Sequence, residues 1–311
     1  MFLCIGATPA AQRVMVFRNV TSDAVNRAIT TADGIAGKAI NVAKVLKALG
    51  ADPVAVGFLG GQRGEDIRQA LRERGIEQEF VSVPSPTRQC ITVIDQQAQT
   101  QTELVEESQP VLPEHYEALL EIVRRRMTGS KAAILSGILT PGAPADFYMK
   151  CAECANASAT LAILDVKGEP LTLALQARPG LVKPNREELA ASFGGDLENE
   201  SAVIAAMKNL HERGAQRVVV TAGKEATLAF DGRTFWRIVP PSVAAVNPIG
   251  SGDAFTAALA TRLLRGDDLG HACRWGAAAG AANALTLMAG EVEREEVERL
   301  APLVKAETMR A

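Results

Sequence analysis

Between Val246 and Leu264 the chain reads VNPIGSGDAFTAALATRLL, two glycines, a serine and a carboxylate set at the head of an apolar-periodic segment. Gly250 and Gly252 accept backbone angles closed to other residues, and Ser251 between them can cap a helix. Several backbone N–H groups can therefore converge on one point and bind an anion. Phe255, Leu259 and Leu263 recur at helical spacing, which puts Asp253 in the first turn, beside those amides and the positive end of the helix dipole. A phosphate and a carboxylate would then share one small space. The same residue types also make an ordinary helix N-terminus, where an Asp only stabilises the helix, so the rest of the chain must decide.

A second group lies in KPNREEL, with Lys183, Asn185 and Glu188 at the exit of a strand and the start of a helix. Pro184 holds the preceding residue extended and Asn185 is a good N-cap. Glu188, one turn further along the same face, could join Asn185 in orienting a hydrated Mg²⁺; capping and metal orientation are compatible. Nothing matches GxxxxGK[ST]: Gly34, Gly37 and Lys38 are wrongly spaced and Ala39 follows. A P-loop is thereby excluded, and any phosphate site must be built differently. Cys151 and Cys154 form one CxxC inside a helical pattern, with no second pair and no nearby His, and read as ordinary helix residues. The three histidines lie far apart in polar helical contexts and receive no chemistry.

These groups need a scaffold, and the alternation of the chain predicts one. FLCIGA reads as a buried strand, and RVMVFRNV onward to about Asp33 as a strand pair. A helix over AINVAKVLKALG is followed by the apolar strand VAVGFL, then by the helix EDIRQALRERGI closed by Gly75. Three strand-like pieces follow, EQEFVSV, RQCITVID and TQTELVE, which together with the residues near Arg13 to Val20 read as a small sheet projecting from the body. From Pro113 the order is helix to Met127, strand KAAILSG, helix APADFYMKCAECANA, strand TLAILDV, a short helix, strand-like GLVKPN, helices to Arg213 and strand RVVVTAG. A hairpin turned at Asp231 and Gly232 comes next, and the last third is helical. Strands alternating with helices imply an α/β, doubly wound, mostly parallel sheet that takes ligands at the carboxyl ends of its strands. The alanine- and glycine-rich WGAAAGAANALTLMAG would pack closely on the Asp253 helix, and its small residues could also leave a slot for a flat ring.

At 311 residues, 47% hydrophobic and 22% charged, the chain has the profile of a globular protein with a substantial core. A net charge of −3 provides no broad basic surface for nucleic acid. Arg124 to Arg126 cluster only at a predicted helix end, as a solvated face that complements the dipole. Five cysteines without a paired framework suggest a reducing compartment, and no apolar run approaches a membrane span, so a cytoplasmic location is expected.

Taken in order, AGKAINVAKVLKALG, GFLGGQRG, TRQCITVID, LSGILTPGAPADFY, LVKPNREEL, VVVTAGKEATLAF and VNPIGSGDAFTAAL resemble the PfkB (ribokinase-like) carbohydrate kinases over essentially the whole chain. Within that family the likeness is to the hexose-phosphate branch that holds 1-phosphofructokinase and tagatose-6-phosphate kinase. The resemblance implies one ribokinase-like domain over residues 1–311 with lid strands at about 11–33 and 79–107, whose sheet could pair with that of a second copy. It implies an ATP- and Mg²⁺-dependent kinase of a ketohexose phosphate. A kinase of an unphosphorylated sugar or nucleoside, or a non-catalytic binding relative, are the alternatives.

By the same resemblance Asp253 is the catalytic base, and the amides of Gly250, Ser251 and Gly252 stabilise the transferring phosphoryl group. Lys183, Asn185 and Glu188 match the phosphate and Mg²⁺ region. Thr221 and Gly223 match the nucleotide-binding turn, and Asn283 a residue near the adenine. On the sugar side Gly37, Lys38 and Asn41 match GGKGxN and Arg88 matches TRxN, with Arg88 able to grip a phosphate bidentately. Departures gather there: Gln12 stands where relatives carry an Asp that contacts sugar hydroxyls. Ala36 and Ala39 replace glycines, Ile138 and Thr140 alter SGSLPPG, Val105 replaces a lid Asn, and Val166 and Lys167 stand within the usual DTSG.

Overall fold

The computed structural model describes residues 1–193, 197 and 199–309. Its strands are β1 (Phe2–Ile5), β2 (Ala10–Phe17), β3 (Thr30–Ala36), β4 (Pro53–Leu59), β5 (Glu77–Ser82), β6 (Arg88–Asp95), β7 (Thr100–Val105), β8 (Ala132–Ser136), β9 (Leu161–Asp165), β10 (Leu181–Val182), β11 (Val218–Val220), β12 (Thr227–Phe230), β13 (Phe235–Val239) and β14 (Lys305–Met309). Its helices are α1 (Lys38–Ala48), α2 (Gly61–Glu73), α3 (Pro113–Met127), α4 (Phe147–Ala157), α5 (Gly168–Ala174), α6 (Arg186–Phe193), α7 (Glu200–Glu212), α8 (Ser251–Leu263), α9 (Leu269–Ala284) and α10 (Arg294–Leu300).

Apolar runs such as VAVGFL and AAILS are buried on both faces, and they assemble a ten-stranded sheet ordered β14-β13-β12-β11-β10-β9-β8-β1-β4-β5. From β5 to β11 every pairing is parallel, while β12, β13 and β14 add antiparallel strands at one edge. Two apolar layers sandwich this sheet. One holds α1, α8 and α9 with residues such as Ile40, Phe255 and Ala278; the other holds α3, α4 and α7 with Tyr116, Tyr148 and Met207. This is the mostly parallel, doubly wound α/β sheet expected from the alternation of elements. Among the described residues no helix is long and apolar enough to cross a membrane.

A separate four-stranded sheet, β3-β2-β6-β7, stands where the lid is expected and is called the lid below. Its inner face carries Val14, Val16 and Ile94 against Leu287 and Met288. One expected lid strand belongs elsewhere. EQEFVSV is β5, which lies parallel to β4 at the edge of the main sheet, so the lid uses residues 88–105 but not 79–87. Gly75, at φ +62, turns the chain out of α2 and returns it alongside β4, a βαβ unit whose edge position leaves β5 only partly buried, with Phe80 its one buried residue. The chain end also differs from the all-helical expectation. β14, with the polar sequence KAETM, pairs antiparallel with β13.

Candidate active site

The carboxyl ends of the parallel strands converge beneath the lid. Asp165 is the last residue of β9, Lys183 follows β10 and Thr221 follows β11; α1 and α8 bring Lys38, Asn41 and Asp253 from the helical layer. Together with Gln12, Arg88, Cys90, Glu103 and Val105 of the lid they line a cavity of about 330 Å³. Of the residues singled out in the sequence, Gln12, Gly37, Lys38, Asn41, Arg88, Lys183, Asn185, Glu188, Thr221, Gly250, Gly252 and Asp253 all face it.

Gly250 caps α8 at φ +85, and a Cβ there would lie 2.7 Å from the Gly290 nitrogen, so only glycine fits. The turn leaves the N–H groups of Gly250 and Gly252 without a backbone acceptor among the described residues. The Ser251 N–H, by contrast, is held by the Pro248 carbonyl at 3.1 Å. The turn therefore offers two free amides where the sequence suggested three. Ser251 and Asn283 serve its construction. Asn283 is fully buried; its amide donates to the Ile249 carbonyl (2.9 Å) and to Ser251 Oγ (3.3 Å), and its oxygen accepts from Gly290 N–H (2.7 Å). With those bonds spent, Asn283 stands behind the loop and not in the cavity. Gly223 takes φ +59 in the turn after β11, outside the residues that line the cavity.

Asp253 is 6% exposed, and its Oδ2 accepts from Asn41 Nδ2 at 2.8 Å. Burial raises its pKa to about 6, the negative charge of Asp165 adds to the rise, and Lys38, Asn41 and Lys183 oppose it. Asp165, the residue just before Val166 and Lys167, is the electrostatic centre. Its two oxygens meet Lys38 Nζ at 2.9 Å and Lys183 Nζ at 3.2 Å, and Thr256 Oγ1 lies 3.5 Å away. Burial would lift its carboxyl, but the two ammonium groups outweigh it and hold the pKa below the usual value. Lys38 also reaches Glu188 at 3.4 Å; despite its burial, Asp165, Asp253 and Glu188 hold it protonated. A signal was present in the sequence, since an Asp that closes the apolar strand LAILD is poorly placed for packing alone.

Asn185 and Glu188 form a reciprocal cap, Glu188 N–H to Asn185 Oδ1 at 2.7 Å and Asn185 N–H to Glu188 Oε2 at 3.1 Å. That leaves Glu188 Oε1 toward the cavity. Among the described residues no group of three or more His, Cys, Asp or Glu side chains forms a metal cage. The donor set instead suits Mg²⁺ that keeps most of its waters. Charge is compatible with such an ion: the lining carries three cations (Lys38, Arg88, Lys183) and four carboxyl groups (Glu103, Asp165, Glu188, Asp253), and a polyphosphate bound there would gain from an accompanying divalent cation.

At the lid end, Gln12 is 2% exposed, and among the described residues neither of its amide atoms has a partner. Arg88 Nε is likewise unpartnered, while Arg88 Nη2 donates to the Thr8 carbonyl at 3.2 Å. Buried polar atoms without partners are rare and costly, and these belong to two residues that line the cavity. Beside them Cys90 and Val105 add an apolar strip. Burial raises the Glu103 pKa, with Arg88 opposing.

Residues 2–294 match the profile of the pfkB family carbohydrate kinase. The fold is similar to phosphofructokinase-2 from Escherichia coli in complex with fructose-6-phosphate, at 25% identity over 97% of this chain and 98% of that one, TM-score 0.87. It is also similar to a possible 1-phosphofructokinase from Thermotoga maritima (21%, 99% of each chain, TM-score 0.91). A third similar structure is Arabidopsis thaliana ribokinase complexed with ribose and ATP (21%, 96% and 98%, TM-score 0.77). A ribokinase-like fold, two free amides at a helix N-terminus, a buried carboxylate beside them and a match over nearly the whole length lead to one conclusion: the chain belongs to the pfkB family of carbohydrate kinases.

Proposed function

We propose that the protein transfers the γ-phosphoryl group of ATP to a hydroxyl of a ketohexose phosphate of the fructose 1-phosphate or tagatose 6-phosphate type. The observation that carries this reading is the buried Asp253 carboxylate directly beside the free amides of Gly250 and Gly252 at the base of the cavity. Asp253 removes the proton of the acceptor hydroxyl. That oxygen forms a bond to the γ-phosphorus as the bond from phosphorus to the bridging oxygen of ADP breaks, and ADP leaves with the electron pair. The Gly250 and Gly252 amides stabilise the charge on the transferring group, and Lys38 and Lys183, oriented by Asp165, add to them.

Asn185 and Glu188 would hold Mg²⁺ through water, where it neutralises polyphosphate charge. Thr221 and the turn at Gly223 lie on the nucleotide side. At the acceptor end Arg88 grips the phosphate already on the sugar, and Gln12 donates to one sugar oxygen while accepting from a hydroxyl. Glu103 favours a second reading, an acceptor without phosphate, because its carboxyl lies beside Arg88 in the same cavity.

The test is turnover of MgATP with a panel of fructose 1-phosphate, fructose 6-phosphate, tagatose 6-phosphate and the corresponding free sugars. Turnover confined to the phosphorylated set, with KM raised by Arg88→Ala, supports the first reading. Turnover of a free sugar with KM unchanged by that substitution replaces it with the second.

A further inference from the structure

The ammonium group of Lys44 lies outside the transfer machinery and is nonetheless buried deep beside it. It sits on α1 one turn beyond Asn41 and is 4% exposed. Its Nζ donates to the Ile35 carbonyl at 3.0 Å and the Ala289 carbonyl at 2.6 Å, and meets Glu291 Oε1 at 3.2 Å. Glu291 is held from the other side by Arg74 at 3.0 Å. A lysine this buried is expensive, and burial lowers its pKa; hydrophobic residues of similar size satisfy such positions more cheaply. The contacts show what the cost secures.

Ile35 is the penultimate residue of β3, the strand through which the lid enters the body, and the next two residues, Ala36 and Gly37, line the cavity. Ala289 precedes Gly290, the wedge behind the anion hole. A Cβ on Gly290 would lie 2.7 Å from Asn41 Cα, and one on Gly250 would lie 2.7 Å from Gly290 N. A single ammonium group thus joins the lid junction on one side to the backbone that seats Gly250 and Asn41 on the other. Any shift of the lid strand along its axis pulls on the same donor that fixes Ala289.

We infer that Lys44 is a positioning residue that couples the lid to the anion hole, so that ligand capture under the lid and alignment of the Gly250 and Gly252 amides are one event. The inference rests on the kinase reading of the site. Sequence alone presents Lys44 as one more lysine on an amphipathic helix.

Two measurements on the full chain test it. The first is hydrogen exchange with Mg²⁺ and adenylyl imidodiphosphate as the probe. In the unsubstituted protein nucleotide binding slows exchange in both residues 286–292 and residues 30–37. In Lys44→Met protection of 286–292 remains and that of 30–37 is lost. The second is steady-state kinetics with whichever sugar phosphate the unsubstituted protein turns over. Lys44→Met lowers kcat tenfold or more while the KM for ATP changes less than threefold. A kcat within threefold of the original, or a junction that ignores nucleotide in the unsubstituted protein, overturns the inference.

If Lys44→Met does not fold, Lys44→Met with Glu291→Gln removes both charges together and carries the same expectations. If no sugar phosphate is turned over, the acceptor assignment fails on its own, and the exchange result still decides the role of Lys44.

Discussion

Replacing Asp253 by Asn should destroy activity and stabilise the fold at neutral pH, a combination that follows from one carboxylate held where burial disfavours its charge. The rise of the Asp253 pKa from 3.8 to about 6 corresponds to roughly 3 kcal/mol of penalty on the ionised form, at about 1.4 kcal/mol per pH unit. Proton counting sets the sign. Below pH 3.8 both folded and unfolded chains hold the proton, and the residue contributes nothing. Between about pH 4 and 6 the folded state keeps a proton that the unfolded state has released, so stability falls as pH rises. Above pH 6 the whole penalty is present.

The amide introduced by Asp253→Asn carries no charge and escapes this penalty, and the side-chain N–H of Asn41 still finds an oxygen acceptor. The variant should therefore be more stable by up to about 3 kcal/mol at pH 7.5. For a chain of this length that is a rise in Tm of about 4–5 °C, at ~2 cal/mol/K of unfolding entropy per residue. The gain should shrink to nothing near pH 4. Turnover, measured by coupled ADP release, should fall at least ~100-fold, the lower end of general-base contributions. Thermal melts across pH 4–8 check the first part. A variant less stable than the original at pH 7.5, or a difference constant with pH, would refute the reasoning about burial. Retained turnover would remove Asp253 from the mechanism.

Other consequences are equally measurable. The pH profile of kcat/KM should lose activity below about pH 6, with one proton on the acidic limb, as Asp253 protonates. Arg88→Ala should raise the KM for the sugar phosphate about 10- to 100-fold, the worth of a charge-assisted hydrogen bond of ~1.5–3 kcal/mol, with little change in the KM for ATP. Gln12→Leu should raise acceptor KM while raising Tm, because it removes two buried unpartnered polar atoms. Glu188→Gln should increase the Mg²⁺ concentration needed for half-maximal rate, and a chelator should abolish activity until excess Mg²⁺ is restored. Gly290→Ala sets a methyl 2.7 Å from Asn41 Cα at φ +69, where neither backbone can yield; Tm and kcat should fall together.

Much of the body was legible because its signals are local. Pro113 and Met127 bound α3 as the sequence suggested, and Asp231 with Gly232 turns the hairpin of β12 and β13. What was not legible depends on what lies across the sheet. β5 is as polar as a lid strand because an edge strand buries only part of its surface, and only its pairing with β4 tells the two apart. β14 is polar for the same reason. Asp165 is hidden in an apolar run, and its importance comes from Lys38 and Lys183, which are 127 and 18 positions distant and are joined to it only by the fold.

The two ends of the cavity differ in how they are specified, and this explains why the reaction was easier to read than its substrate. Phosphoryl transfer is supported by backbone: the turn at Gly250 and the cap at Asn185 are short-range features, written in neighbouring residues. The proposed acceptor end is built by side chains from separate strands of the small sheet, Gln12 on β2, Arg88 and Cys90 on β6, Glu103 and Val105 on β7, whose mutual positions come from register alone. Gln12 opposes Cys90 and Cys90 opposes Val105 in one row across the small sheet, so a substitution at any one changes the surface proposed to meet the sugar without touching the helix that carries Asp253. An amide in that row can donate as well as accept, whereas a carboxylate only accepts, so exchanging Gln12 for Asp should change which sugar is preferred while leaving the position of the acidic limb near pH 6. A limb that moved with Gln12→Asp would mean that the acceptor row and the base are electrostatically one unit, and the two ends of the cavity could no longer be treated as separate.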